Sequence, residues 1–216
     1  MKYEELSGGF IKKRERKVIG VFIDGTGLDR ATRRINRKVN MAALVRGVTS
    51  GIAPVVARYY TLVPYEDDSR QRAFLDAVSR AGLSVIVKRL PPKGITRQVS
   101  VDLEMAADIV AFAKGHTDFS KENEYLPQDH PLRSSASTPN SREAKGSAEG
   151  SGASGDESRS VVVVCPSREL AYPLGLVKEF DVDTTTADFG QFNTGDILKS
   201  ASKWIDLSDS ETIWWD

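Results

Sequence analysis

Cysteine is almost absent: Cys165 is the only one in 216 residues. A single thiol builds neither a disulfide frame nor a thiolate zinc site. Histidine is nearly as scarce, since His116 and His130 stand alone in a polar stretch without metal-ligand spacing. That supply gives poor support to a Ser-His-Asp triad. Long apolar runs are missing too, and none approaches the about 18 residues that span a membrane. The opening MKYEELSGGFIKKRERK has no apolar core and does not read as a secretory signal. The expectation is a cytoplasmic protein without membrane contact.

Net charge is zero as well, but it is unevenly distributed. The first hundred residues carry about twice as many Lys and Arg as acids, and the stretch after Phe180 is acidic. A basic half suits a polyanionic partner; a solvated charged face explains it equally simply.

What is present is an alternation of apolar strands and amphipathic helices. Val18 to Ile23 is a continuous apolar run, as in a strand buried on both faces. Asn40 is placed to cap a helix through MAALVRGV. VVARYYTLV, 55 to 63, is β-branched and aromatic and reads as a strand, which assigns Tyr59 and Tyr60 to the core. Asp68 opens a helix through RQRAFLDAVSRAG, with Phe74, Leu75 and Val78 inward. LSVIVKRL forms a third strand, and VSVDLEMAADIVAFAKG a helix ending at Gly115. SVVVVC is another buried strand, followed by a helix near SRELAYPLGLVKEF, a short strand at Asp181 to Thr185, and a helix near GDILKSASKWIDL anchored by Trp204.

Alternating strands and helices predict an α/β fold, a three-layer α/β/α sandwich around a mostly parallel sheet. The expected organisation is a flexible basic arm (1–17), a first part of the domain (18–116), an insert (117–160), a second part (161–208) and an acidic tail (209–216). The insert contains SSASTPNSREAKGSAEGSGASGDESRS, which has almost nothing to bury and is predicted to be disordered.

In a parallel sheet, ligands gather at the carboxyl ends of the strands. VIGVFIDGTGLDR places Asp24 at such an end. A carboxylate there is partly desolvated and needs a cation or hydrogen bonds. It serves either a ligand or the turn formed by Gly25 and Gly27. The stretch is not a dinucleotide fingerprint, because Arg30 stands where the third glycine is required. Nor is it the loop of a haloacid-dehalogenase phosphatase, because Phe22 occupies the nucleophile position. VDLEMAADIV supplies further acids. Asp102 is a helix cap or a ligand, Glu104 is expected to face solvent, and Asp108 sits among Ala107, Ile109 and Val110, where a charge needs a partner.

Taken in order, VIGVFIDGTGLDR, ARYYTLV with RQRAFLDAVSRAGLSVIVKRL, VDLEMAADIVAFA and ILKSASKWIDL resemble the NYN domain of LabA-like proteins, a branch of the PIN-fold nucleases. The resemblance implies a PIN-like, Rossmann-like sandwich and an acidic cluster that holds Mg2+ or Mn2+ and cleaves RNA. By position it implies catalytic and metal-binding roles for Asp24, Asp102 and Asp108, with Glu169 as a further metal ligand. Such an ion prefers oxygen ligands and is commonly held by one or two carboxylates with water and phosphate.

The chain departs from the family pattern in three places. Gly27 stands where Asn is usual, RQVSVD keeps little of the basic and glycine residues before the helix Asp, and CPSREL replaces SGDSDF. Ser167 and Glu169 thus stand for two aspartates, and a neutral Ser weakens a metal site. A non-catalytic RNA-binding or regulatory protein of the same fold is the alternative. Cys165, without a histidine to activate it, reads as a small buried residue. Arg30, Arg33, Arg34, Arg37 and Lys38 follow the Asp24 loop and either neutralise RNA phosphates or form an exposed charged face. Trp214 and Trp215 belong either to a docked tail or to a motif for a protein partner.

Overall fold

The computed structural model describes residues 16–66, 68–127, 157–192 and 195–215. Its six strands form one sheet in the order β3-β2-β1-β4-β5-β6, and every pairing is parallel. In chain order the strands are β1 (Arg16–Asp24), β2 (Val56–Val63), β3 (Ser84–Arg89), β4 (Glu157–Val164), β5 (Asp183–Asp188) and β6 (Lys203–Asp206). The helices between them are α1 (Gly25–Ile35), α2 (Met41–Val48), α3 (Ser69–Arg80), α4 (Asp102–Ala113), α5 (Ala171–Lys178) and α6 (Gly195–Ser200). The three-layer α/β/α architecture expected from the alternation is the one observed.

β1 lies between β2 and β4 and is buried from Val18 onward. Its side chains alternate between two cores, as the pleat of a strand requires. Ile19, Val21 and Ile23 join Leu28, Leu44, Tyr59, Leu75 and Val78 under α1, α2 and α3. Val18 and Phe22 join Tyr60, Met105, Ile109, Phe112, Leu174 and Val177 under α4 and α5. Burying each such side chain stabilises the fold by roughly 1.5–3 kcal/mol, which is why a sheet covered on both faces favours Val, Ile and aromatic residues. Tyr59 and Tyr60 are core residues, as read from the sequence.

The helix starts follow their capping residues. Asn40 accepts the Ala43 N–H at 3.1 Å, and Asp68 accepts the Arg70 N–H at 2.8 Å. Other elements differ from expectation. Phe74 is 45% exposed, since α3 presents Leu75 and Val78 to the core instead. The expected closing helix is only α6, and KWID continues the sheet as β6. Trp204 is therefore a half-exposed residue of an edge strand, not a helix anchor.

The expected insert is structured where it is described. Tyr125 donates its N–H to the Val85 carbonyl at 2.7 Å and its hydroxyl to Asp76 at 2.7 Å, and Glu124 bridges Ile86. At the other end, Glu157 and Ser158 already pair with Arg16 and Lys17, so these two residues of the expected arm belong to β1. The rest of the arm, residues 1–15, and the Ser/Gly-rich stretch, 128–156, lie outside the described residues. Near the C-terminus, Ile213 and Trp214 are buried against the first core, and Trp214 bridges Val39. Of the tryptophan pair, Trp214 is docked, whereas Trp215 is 63% exposed.

Candidate active site at the carboxyl edge of the sheet

The connection after β3 crosses back over the sheet through α4, so the order in which strands are added reverses between β1 and β4. A parallel sheet opens a crevice at the carboxyl ends of such strands. Asp24 ends β1, Cys165 to Ser167 follow β4, and Asp188 ends β5. Asp24, Gly27, Arg30, Arg34, Ser167, Arg168 and Asp188 line the resulting cleft of about 260 Å³.

Asp24 caps α1. Its Oδ1 accepts the Gly27 N–H at 3.0 Å, so the turn reading of this residue is correct as far as it goes. The two glycines are required by contact. A Cβ on Gly25 would lie 2.2 Å from the Tyr59 ring, and one on Gly27 would lie 2.4 Å from the Cys165 carbonyl and 2.9 Å from Asp24 Oδ2. No side chain fits at position 27, and the space beside the Asp24 carboxylate stays open. Burial raises the Asp24 pKa to about 6; the Asp102 charge adds to it, while the Gly27 and Thr26 N–H groups and Arg30 oppose it.

Asp102 opens α4 and meets the cleft through Ser167, and its charge adds to the rise in the Asp24 pKa. It does not cap the helix through N–H bonds. Its Oδ1 accepts the Ser167 hydroxyl at 2.7 Å and its Oδ2 accepts the Ser100 hydroxyl, while Ser100 Oγ accepts the Asp102 N–H at 2.9 Å. Ser167, the residue standing for an aspartate, thus reaches across from the β4 loop and donates to the remaining acid.

The other expected ligands sit elsewhere. Asp108 Oδ2 accepts the Tyr60 hydroxyl at 2.7 Å and lies 3.1 Å from the Arg58 guanidinium, which is itself buried. Burial raises the Asp108 pKa, against the Tyr60 bond and the Arg58 charge. Its carboxylate is engaged as the counter-ion of Arg58. Glu169 is exposed on the short 3-10 turn Arg168–Leu170. Glu104 is only half-exposed and pairs with Lys88 at 2.6 Å, so it is not the solvent-facing residue expected.

The sequence reading missed Asp188. It is 8% exposed and accepts the Trp204 indole N–H at 3.1 Å. Its signal, a carboxylate ending TTTAD, was hidden because the strand was placed to end at Thr185. Cys165 is buried as expected, and burial together with the charges of Asp188 and Asp24 holds its thiol well above the ordinary range. The basic cluster divides around α1: Arg30 and Arg34 line the cleft, whereas Arg33, Arg37 and Lys38 line a separate groove.

Among the described residues, no group of three or more His, Cys, Asp or Glu side chains is arranged to hold a metal ion. What remains is a pair, Asp24 and Asp102, with the Ser167 hydroxyl beside it. These are hard oxygen donors of the kind a Mg2+-type ion takes, with the rest of its shell from water and phosphate. They do not form an all-protein cage.

An open parallel sheet with helices on both faces and paired acids at its carboxyl edge is the arrangement of the PIN-like nuclease fold. Residues 18–119 match the model of the NYN domain, a PIN-like nuclease family. The match stops before β4 and leaves CPSREL outside it. The chain is also similar in fold to a solved protein of unknown function, VPA0982 from Vibrio parahaemolyticus RIMD 2210633. The two share 11% identity with a TM-score of 0.63, over 93% of this chain and 97% of that one. No curated protein matches the sequence. Among the described residues, no helix is long and apolar enough to cross a membrane.

Proposed function

We propose that this NYN protein, of the LabA-like branch, hydrolyses RNA phosphodiesters with the help of a divalent cation at Asp24 and Asp102. The observation that carries the reading is the Asp24 carboxylate, 6% exposed at the cleft, its pKa raised to about 6 by burial with the Asp102 charge adding to it. Two neighbouring acids favour a cation between them. Asp24 is oriented by the Gly27 N–H and Asp102 by the Ser167 and Ser100 hydroxyls. Arg30, Arg34 and Arg168 surround the acids along the cleft, where they hold the phosphates flanking the scissile bond. Mg2+ or Mn2+, when bound there, supplies positive charge to the attacked phosphate and makes a nearby water more acidic.

One observation favours a second reading. Both Asp102 oxygens already accept hydroxyl hydrogens, so this acid is satisfied without a cation. The protein would then bind RNA without cutting it. Incubating RNA with the full chain in Mn2+ or Mg2+ separates the two. The nuclease reading expects cleavage that falls at least a hundredfold in Asp24→Asn, the usual order for a group acting in the transition state. RNA that is bound but never cut, or cut equally by Asp24→Asn, selects the second.

A further inference from the structure

The wide groove on the other side of α1 has no role in the site above. It spans about 520 Å³ between α1 and α3, within the range of ligand clefts. Tyr59 lies in its lining, and Phe74 and Trp215 are exposed there by 45% and 63%. Large aromatic faces left in water are costly unless something covers them. Trp215 is not loosely exposed. Its N–H donates to the Lys38 carbonyl at 3.0 Å, the preceding Trp214 bridges Val39, and the Asn40 N–H donates to the Ile213 carbonyl at 2.8 Å. Trp214 lies beneath the Arg37 guanidinium, 4.1 Å from ring centroid to Cζ. The tail is thus clamped on both sides of Trp214, with the next indole held at the lip of the groove.

The charge of the lining identifies the occupant. Among the described residues of the lining, Arg33, Arg37 and Lys38 face one carboxylate, Asp29, which is paired with Arg33 at 3.0 Å. Arg37 and Lys38 therefore leave the groove positive beside its aromatic rings. Exposed rings next to cations suit a chain that alternates flat bases with phosphates, whereas an apolar peptide has no need of the cations. The groove and the acidic cleft lie on adjacent faces of α1, so one strand can run from Arg30 and Arg34 to Arg37 and Lys38. We infer that this groove binds single-stranded RNA, with an unpaired base stacked on Trp215 and backbone phosphates on Arg37 and Lys38. The inference rests on the RNA reading of the acidic cleft and adds to it a platform remote from the chemistry.

The test uses the full chain in EDTA, so that binding is read without cleavage. A fluorescein-labelled 12-nucleotide oligo(U) is titrated and its anisotropy followed. Trp215→Ala is expected to weaken binding about tenfold, and Trp215→Phe to restore most of it, because stacking needs a ring and not an indole N–H. A duplex of the same length should bind with no dependence on residue 215, since its bases are already stacked. Equal affinity of wild type and Trp215→Ala for oligo(U) overturns the inference and leaves the groove to a protein partner or to another segment of this chain. The acidic cleft is judged separately, by cleavage in Mn2+. Trp215-dependent binding without cleavage keeps the groove and removes the nuclease; cleavage with a KM unaffected by Trp215→Ala does the reverse.

Discussion

At the scale of single residues, Asp24 combines a structural bond with an electrostatic cost. In the unfolded chain its pKa is the ordinary 3.8, and in the folded protein it is about 6. Between these values the folded state holds a proton that the unfolded state has released. The stability contributed by this group therefore falls as pH rises through roughly 4 to 6, and at neutral pH the cost is on the order of 2–3 kcal/mol. Asp24→Asn keeps an oxygen to accept the Gly27 N–H and removes the charge. It should raise Tm by several degrees at pH 7.5, since about 1 kcal/mol moves a domain of this size by 2–4 °C, and by much less at pH 4. Melts followed by circular dichroism at the two pH values check this; equal shifts would mean that Asp24 titrates normally. The same change should abolish cleavage, a trade of activity for stability common at functional sites. Asp24 was legible in the sequence because an apolar strand ends abruptly on it. Asp188 was not, because its strand is built of threonines, two of which, Thr184 and Thr186, are fully buried. A polar strand gives no apolar signal to place its end.

At the scale of elements, α4 carries two acids with different duties. Asp102, at the helix start, accepts the Ser167 hydroxyl beside the cleft. Asp108 follows by about one and a half turns, too far along a rising helix to stay at the sheet edge, at 1.5 Å per residue. Its partner could not be seen in the sequence, because Arg58 looks like one more basic residue in a basic half. The parallel register that places Arg58 beside Phe22 and Ser84 turns it into a buried cation. Removing one member of such a pair leaves the other uncompensated and typically costs 3–5 kcal/mol. Asp108→Ala is therefore expected to lower the urea midpoint substantially, and a combined Arg58→Met, Asp108→Leu chain to recover most of the loss. A metal-ligand role predicts the opposite: an unchanged midpoint and loss of any stabilisation by Mn2+. β6 was misread for a related reason. ILKSASKWIDL satisfies helical periodicity, but the pairing of Trp204 with Thr186 and its indole bond to Asp188 hold the second half as an edge strand.

At the scale of the whole molecule, the sheet was readable because each buried strand is a short apolar run and each connection a helix with a capping residue. The order of the strands was not spelled out by any residue. It follows from the crossover rule together with the long α4–β4 connection, which carries the chain from one edge of the sheet past β1. That connection allows a direct test of what the Ser/Gly-rich stretch contributes. Tyr125 sits outside β3 beside Val85, and the chain resumes at Glu157 on β4, four strand spacings across and seven residues back along the strands. At about 4.8 Å per strand and 3.3 Å per residue the gap is roughly 30 Å, and residues 126–139 with 151–156 reach about 65 Å when extended. Deleting 140–150 thus leaves enough chain to close, and it spares Glu157 and Ser158, which pair with Arg16 and Lys17. The loop entropy regained by shortening is under about 1 kcal/mol. The truncated protein should melt within a few degrees of the full chain, at or slightly above it, with an unchanged urea slope. A fall of ten degrees or more would show that the deleted stretch packs on the domain and contributes to its stability.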